Sequence, residues 1–343
     1  MGAVRPSRVP RGAGEYAGVI TSREVLTTAQ QTGFRSEVVE KVLRLNGILN
    51  RLYDHPSTAN LWVLKGGTAL NLFHLDVPRL SVDIDLNFVG SADLEGMVEA
   101  RPGFEGALTS CCEREGCSVK RAPTEHAGGK FRLRYPSVLG GSQNLEVDVS
   151  YVARVPLFQA AHKTVRFPPG SALEVPVLDL TELAAGKFSA LVQRSVPRDA
   201  FDAASLLDLQ PDLLRRPEFR VAFVCSIATS RSDCRTLRPP EPRIDAQSVA
   251  RELEPMLRRS AAGAAPDLEA LRRWMGDRLH SVAGSLLQFS DGERRFLDRL
   301  LDEGAIEPSL LHADPAMQQR VLAQPMLQWK ARHVRQHRGP AIP

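Results

Sequence analysis

Aromatic residues are scarce in this 343-residue chain, at 6%, which argues against a base-stacking platform of the kind that holds single-stranded nucleic acid. Cysteines number five, Cys111, Cys112, Cys117, Cys225 and Cys234. None forms a Cys-x-x-Cys pair and none has histidines at zinc-ligand spacing. An odd, scattered set points to reduced thiols in a cytoplasm and away from a disulfide framework. His55, His74 and His126 lack a second ligand at metal spacing and read as polar or packing residues. Nowhere does the chain approach the roughly 18 apolar residues of a membrane span. The first twenty residues carry Arg, Pro and Gly but not the apolar centre of a signal peptide. A cytoplasmic protein with no membrane partner is expected. Charge of one sign is also limited: the net is +4, which permits a polyanionic partner without requiring one. Much of the excess lies in W-K-A-R-H-V-R-Q-H-R, Trp329 to Arg338, where a frayed, solvated terminus is the default expectation.

What remains is an ordinary globular composition, 43% apolar and 24% charged, in a chain long enough for one large or two modest cores. Residues 1–20 read as a flexible lead. Ser22 and Ser36 are placed to cap helices, the second running to about Tyr53. Leu61–Leu64 is a short buried strand, and Gly66-Gly67 turns it into a brief helix ending near His74. Helical material between Asp93 and Glu115 precedes strand signals at Ser118–Arg121, Lys130–Tyr135 and Leu145–Val152. From Asp179 the pattern is helical: Asp179 or Thr181 caps a helix through Gln193, Pro197 breaks it, and another starts near Arg198. Residues 237–244 form a proline-rich connector, with helical patterns again at Ala246–Arg259, Asp267–Gln288 and Asp291–Glu303. The fold class expected is α/β (α+β): a lead and helix over 1–35, a mixed-sheet core over 36–175, and a helical domain over 176–343.

Two segments carry charge inside an apolar pattern. The first is K-G-G-T-A-L-N-L-F-H-L-D-V-P-R-L-S-V-D-I-D-L-N-F, Lys65 to Phe88. Strand alternation puts Asp83 and Asp85 on one face, with Arg79, Ser81 and Asn87, while Val82, Ile84 and Leu86 line the other. Two acids side by side repel by roughly 4 kcal/mol at about 4 Å and an effective dielectric near 20, so a cation should offset them. A divalent metal with a triphosphate suits, because magnesium is usually held by one or two carboxylates plus phosphate oxygens. D-I-D alone reads more readily as a half-solvated strand that happens to carry acids; the glycine pair Gly66-Gly67 upstream turns the balance to the functional reading. In Leu145–Tyr151 the acids Glu146 and Asp148 share a face. An antiparallel neighbour of the D-I-D strand would supply a third carboxylate, with Asp148 preferred. Lys130, Arg132 and Arg134 share a face that is either solvated or phosphate-facing.

The second segment is E-L-A-A-G-K-F-S-A-L-V-Q-R-S-V-P-R-D-A-F-D-A-A-S-L-L, Glu182 to Leu207. Lys187 stands among Leu183, Phe188 and Leu191, and a buried ammonium needs a carboxylate or a phosphate. No acid lies three or four residues away. Arg198 and Asp202 are four apart and would make an ordinary helix-surface pair.

Together, K-G-G-T-A-L with R-L-S-V-D-I-D-L-N-F, the acidic strand L-E-V-D-V-S-Y, and E-L-A-A-G-K-F-S-A-L with R-D-A-F-D resemble the motifs of the AbiEii-type nucleotidyltransferase toxins of type IV toxin–antitoxin systems. The mycobacterial MenT toxins are similar in the same respects. The resemblance covers roughly residues 40–210; the interval from Gly67 to Asp83 is longer than in the minimal nucleotidyltransferase pattern. It implies a nucleotidyltransferase-type core with a helical domain behind it. Gly66, Gly67 and Ser81 would meet the triphosphate of an NTP. Asp83, Asp85 and Asp148 would hold Mg2+ (or Mn2+), Asp148 helping to activate the attacking hydroxyl. Lys187 would neutralise triphosphate oxygens, Asp202 would match a family acid beside it, and Arg198 and Asp199 would lie nearby. The implied activity is transfer of NMP to an RNA, at the 3′ end of tRNA, blocking translation, with a cognate antitoxin as partner. Transfer to a protein hydroxyl or a small molecule, or a non-catalytic nucleotide-binding module, are the competing readings.

Overall fold

The computed structural model describes residues 19–121, 128–194, 196–238, 244–260 and 263–338. His126, most of the flexible lead and most of the proline-rich connector lie outside these residues. The first half runs α1 (Ser22–Thr32), α2 (Ser36–Asp54), β1 (Trp62–Lys65), α3 (Gly66–Ala69, continued as one wide turn through His74), β2 (Asp83–Phe88) and α4 (Leu94–Arg114). Strands β3 (Ser118–Arg121), β4 (Gly128–Pro136), β5 (Ser142–Ser150), β6 (Ala161–Thr164) and β7 (Glu174–Val177) follow. Helices α5 (Leu180–Arg194), α6 (Pro197–Leu209), α7 (Pro217–Ala228), α8 (Ala246–Glu252), α9 (Leu268–Leu286), α10 (Asp291–Glu303), α11 (Pro315–Leu322) and α12 (Pro325–Arg338) make up the rest.

The seven strands form one mixed sheet in the order β3-β4-β5-β2-β1-β7-β6. Strand β2 lies at its centre, antiparallel to β1 and parallel to β5. The parallel pairing corrects the antiparallel neighbour expected from the sequence. It still sets Asp85 opposite Asp148 and Asp83 opposite Glu146. Parallel strands need a crossover, and α4 with the β3–β4 hairpin provides the chain length for one. Strands β6 and β7 escaped the sequence reading because β6 is a short, mostly exposed edge strand with almost no apolar alternation.

Local chemistry explains the element ends. Thr21, not Ser22, caps α1 through Glu24 N at 3.2 Å, and α2 begins at Ser36 with no side-chain cap. Asp93 caps α4 through Gly96 N, and Asp179 Oδ1 accepts from Thr181 N at the start of α5. The basic C-terminal segment is not frayed. It is α12, whose Leu327 and Ala331 are buried in the helical core.

Two apolar clusters meet behind the sheet's functional end. One packs α1, α2 and α4 on the sheet, with Phe88 against Phe104 and Tyr151 at ring distances of 5.4 and 5.5 Å. The other is built by α5 to α12, with Phe219 between Phe188 and Phe223. All five cysteines are free thiols in buried positions. No helix among the described residues is long and apolar enough to cross a membrane. Removing the central ring by Phe88→Ala should lower stability by about 3–5 kcal/mol, the transfer loss plus a cavity, read as a shift in the urea midpoint at unchanged slope.

Candidate active site

Strand β1 ends at Lys65, and the chain turns at once through Gly66, whose φ of +75° suits glycine. A Cβ there would stand 2.0 Å from Asp85 Oδ2. At Gly67 a Cβ would stand 2.9 Å from Ser81 Oγ and 3.0 Å from Arg79 Nη2. The glycine pair thus makes room first for the protein's own carboxylate, hydroxyl and guanidinium. Thr68 Oγ1 donates to Asp83 O at 2.6 Å, tying α3 to the start of β2.

A cleft of about 350 Å³ opens at this end of the sheet, lined by Ser81, Asp83, Asp85, Asp148, Lys187 and Arg198, among others. Gly67, Glu146, Lys130, Arg194 and Asp199 also border it. A second cleft, of about 370 Å³, adjoins it and shares Gly67, Asp85, Lys187 and Arg194. Its walls are largely apolar (Leu157, Leu178, Leu183, Ala222, Met326), with Gly66, Lys65, Asn87 and Glu182 at the sheet side. Of the site residues implied by the family resemblance, only Asp202 is absent from both linings. It is 0% exposed, beneath the floor.

The charges of the cleft wall and of the buried layer beneath it form one network. Asp202 accepts from Arg79 Nε at 2.8 Å and Nη2 at 2.7 Å, and from Asn71 Nδ2 at 2.9 Å. Lys187 Nζ lies 2.8 Å from Asp202 Oδ2 and 3.1 Å from Asp199 Oδ1. Arg194 Nε reaches Asp199 Oδ2 at 2.6 Å. Burial works against ionising Asp202, but Arg79 and Lys187 hold its carboxyl well below the usual range. Asp199 shows the same balance, with Arg194 and Lys187 outweighing burial. The anion that Lys187 needs comes from α6, twelve and fifteen residues on, so helical spacing along α5 had no means of showing it. The expected Arg198–Asp202 surface pair does not form. Arg198 Nη1 instead faces Asp83 Oδ2 at 3.6 Å, because α6 buries Asp202 and turns Arg198 to the cleft.

Asp85 is the counterpart of this network. Burial pushes its carboxyl up, Lys65 pulls it down, and Asp83 and Asp148 push it up again. Its negative charge is therefore under-compensated in the protein alone. Among the described residues no three His, Cys, Asp or Glu side chains converge into a complete metal cage. A carboxylate pair fits a hard divalent cation that takes its other ligands from phosphate and water, and the raised Asp85 marks where that positive charge is lacking.

The basic face of β4 is partly engaged: Lys130 Nζ pairs with Glu146 Oε2 at 2.7 Å and Arg132 Nε lies 3.5 Å from Glu146 Oε1. His74 is a packing residue as read, bonded to Leu178 O at 3.0 Å and held down to about 4, chiefly by burial. Sequence reasoning missed Lys65, Glu182 and Arg194. All three sit inside the two quoted segments, Lys65 in the first and Glu182 and Arg194 in the second, so their position was the available signal.

The family model of the AbiEii nucleotidyltransferase toxins of type IV toxin–antitoxin systems matches residues 47–278. The chain belongs to the AbiEii family. It is a nucleotidyltransferase toxin of mixed α/β fold, and an antitoxin and an NTP substrate go with that membership. Among solved structures, MenT4, a nucleotidyltransferase toxin from Mycobacterium tuberculosis H37Rv, is similar at a TM-score of 0.53 and 19% identity, covering 90% of this chain and 99% of that one. At that identity the likeness shows the fold alone. No curated protein matches the chain. In this AbiEii protein both sequence motifs border the clefts, and the segment past residue 278, which the family model does not reach, contributes Gln324, Met326 and Leu327 to the second cleft.

Two outcomes follow for stability. Arg79→Met strips Asp202 of its bidentate partner, and the exposed imbalance of a buried charge should cost about 3–5 kcal/mol in urea unfolding. Burial pushes Glu182 up to about 7 from 4.5, against the amides of Phe158 and Leu157 that donate to it. The folded state therefore keeps this proton to higher pH than the unfolded chain. Stability falls as pH rises from 4.5 to about 7, by roughly 3 kcal/mol at 1.36 kcal/mol per unit. Glu182→Gln should remove that slope in unfolding curves measured across the window.

Proposed function

We propose that this chain transfers the nucleoside monophosphate of an NTP to the 3′ end of an RNA, with tRNA as the acceptor, and blocks translation by doing so. The observation that carries the reading is the convergence of Ser81, Asp83, Asp85, Asp148, Lys187 and Arg198 on one cleft, floored by the ion network of Asp202. The neighbouring apolar cleft is sized for a nucleoside. Asn87, buried on its wall, has a side-chain oxygen with no protein partner, an acceptor left for an amino or hydroxyl group. The triphosphate would cross from one cleft to the other at their shared residues, Gly67, Asp85, Lys187 and Arg194.

In the transfer, the acceptor hydroxyl oxygen forms a bond to the α-phosphorus and the bond from that phosphorus to the bridging oxygen of the β-phosphate breaks, releasing pyrophosphate. Lys187 and Arg194 face the side where negative charge grows on the leaving group, and fixed cations aimed at developing charge stabilise a transition state without reorganisation. Asp199 and Asp202 hold the Lys187 ammonium in place, so its position is set before substrate arrives. Asp148, opposite Asp85 in the strand register, would help activate the attacking hydroxyl and draw off its proton. Mg2+ or Mn2+ held by Asp83, Asp85 and Asp148 would supply neutralisation of the phosphate oxygens and a more acidic hydroxyl. The core over 36–175 would thus carry the acids and the helical part over 176–343 the cations.

Incubation of total tRNA with magnesium and each α-labelled NTP in turn should label tRNA with the preferred nucleotide, and Asp83→Asn should reduce that label by at least 10²-fold. Label on protein in place of tRNA would move the acceptor to a protein hydroxyl and overturn the RNA reading.

A further inference from the structure

The C-terminal helix α12 has a composition unlike the rest of the chain. Its sequence, P-M-L-Q-W-K-A-R-H-V-R-Q-H-R, contains no acidic residue. One side is buried through Leu327 and Ala331, which leaves Arg332, His333, Arg335 and His337 on the exposed side. Trp329 is 49% exposed, among the few large apolar side chains left open to solvent. It stacks on His333 at 5.2 Å between ring centres and 12° between planes, and His333 lies 3.9 Å from His337. Residues four apart on a helix face one another, so W-x-x-x-H-x-x-x-H lays three rings in a row. An average aromatic content of 6% cannot show three rings gathered on one exposed face.

The position of this face matters as much as its chemistry. Gln324, Met326 and Leu327, at the start of α12, line the apolar cleft, and Gln324 Nε2 is fixed to Val155 O at 2.9 Å. Arg154, next to Ala153 of the same cleft, is held below its ordinary pKa by burial; Asp93 nearby raises it in part, and Arg332 on α12 lowers it further. Arg154 itself is taken up by Ala92 O and Tyr151 O, which leaves the exposed Arg332, on a helix without an acid, as the cation open to an anion at this end of the cleft. The other end of the helix is fixed by Arg335, which donates to Gly304 O. The ring row from Trp329 to His337 spans about 12 Å at 1.5 Å per residue, the rise of three or four nucleotides at about 3.4 Å.

We infer that the exposed face of α12 is the docking surface for the RNA acceptor, with Arg332 on its phosphates and the Trp329–His333–His337 row against unpaired bases, leading the strand's 3′ end into the cleft. A positive groove combined with an aromatic row is how proteins hold single strands without reading sequence. This rests on the RNA reading of the function. Other polyanions could meet the charge, but a row of stacked rings favours bases over an acidic protein face.

The test uses the full chain, labelled tRNA and the Trp329→Ala/Arg332→Glu double variant, with Arg23→Glu on α1 as a control for net charge. Filter binding over a salt series and steady-state transfer are read together. The double variant should raise the Kd and the KM for tRNA about tenfold or more, leave the kcat at saturating tRNA within twofold, and flatten the salt dependence of binding. The control should match the wild type. Equal tRNA affinity and KM in the double variant and wild type overturns the inference while the RNA reading stands. An equal loss in the Arg23→Glu control assigns the effect to total charge and also overturns it. Unchanged tRNA kinetics together with lost antitoxin binding would give the face to the protein partner. A wild-type protein that labels no RNA removes the functional reading first and this surface with it.

Discussion

The contact on which this architecture turns is the buried carboxylate of Asp202, held by Arg79 from the strand side and Lys187 from the helical side. Neither cation nor acid could be removed alone without leaving a charge unpaired in a low-dielectric interior, a cost of several kcal/mol. The network therefore does more than fill space. It joins the segment before β2 to α5 and α6, and so fixes the two halves of the molecule against each other along the line where the clefts open. Asn71, from the wide turn after α3, adds a third attachment to the same carboxylate.

That junction sets the electrostatics of the site. Acids dominate the sheet side, where Asp83, Asp85 and Asp148 face one cleft, and cations dominate the helical side, where Lys187, Arg194 and Arg198 approach from α5 and α6. Of these cations Lys187 and Arg194 are tied down by Asp199 and Asp202, whose carboxyls lie below the usual range because the cations outweigh burial, while Arg198 faces Asp83. Asp85 is left with too little compensation. A site with fixed cations on one wall and an under-compensated acid on the other suits the triphosphate of the NTP substrate that goes with the family, brought in with a counter-charge of its own in the proposed function. Glycine at positions 66 and 67 is what allows this crowding, since a methyl group at either would collide with Asp85 or with Ser81 and Arg79.

The last sixty or so residues change the account most. They read as helical but without assignable motif, and the basic end reads as loose. In the fold they close the apolar cleft through Gln324, Met326 and Leu327 and carry a basic, ring-bearing face away from it. A nucleotidyltransferase core common to a family needs some element to distinguish one acceptor from another, and an appended helix at the cleft mouth is well placed for that.

The sequence by itself determined the fold class and the residue types at the site. A glycine pair after an apolar strand, acids at i and i+2 of the next, and a lysine inside an apolar helix are local patterns, and alternation on a strand fixes the face of Asp83 and Asp85 whatever surrounds them. Most elements were legible for the same reason, since period and caps are properties of neighbouring residues. Tertiary structure alone decided what pairs with what. That β5 runs parallel to β2, that Asp202 answers Arg79 and not Arg198, and that Lys187 finds its acids on the next helix all depend on contacts between residues far apart in the chain. The short strands β6 and β7, the raised pKa of the buried Glu182 and the ordered α12 belong with them. Their stability comes from pairing and burial supplied by distant segments, and no local pattern carries that information.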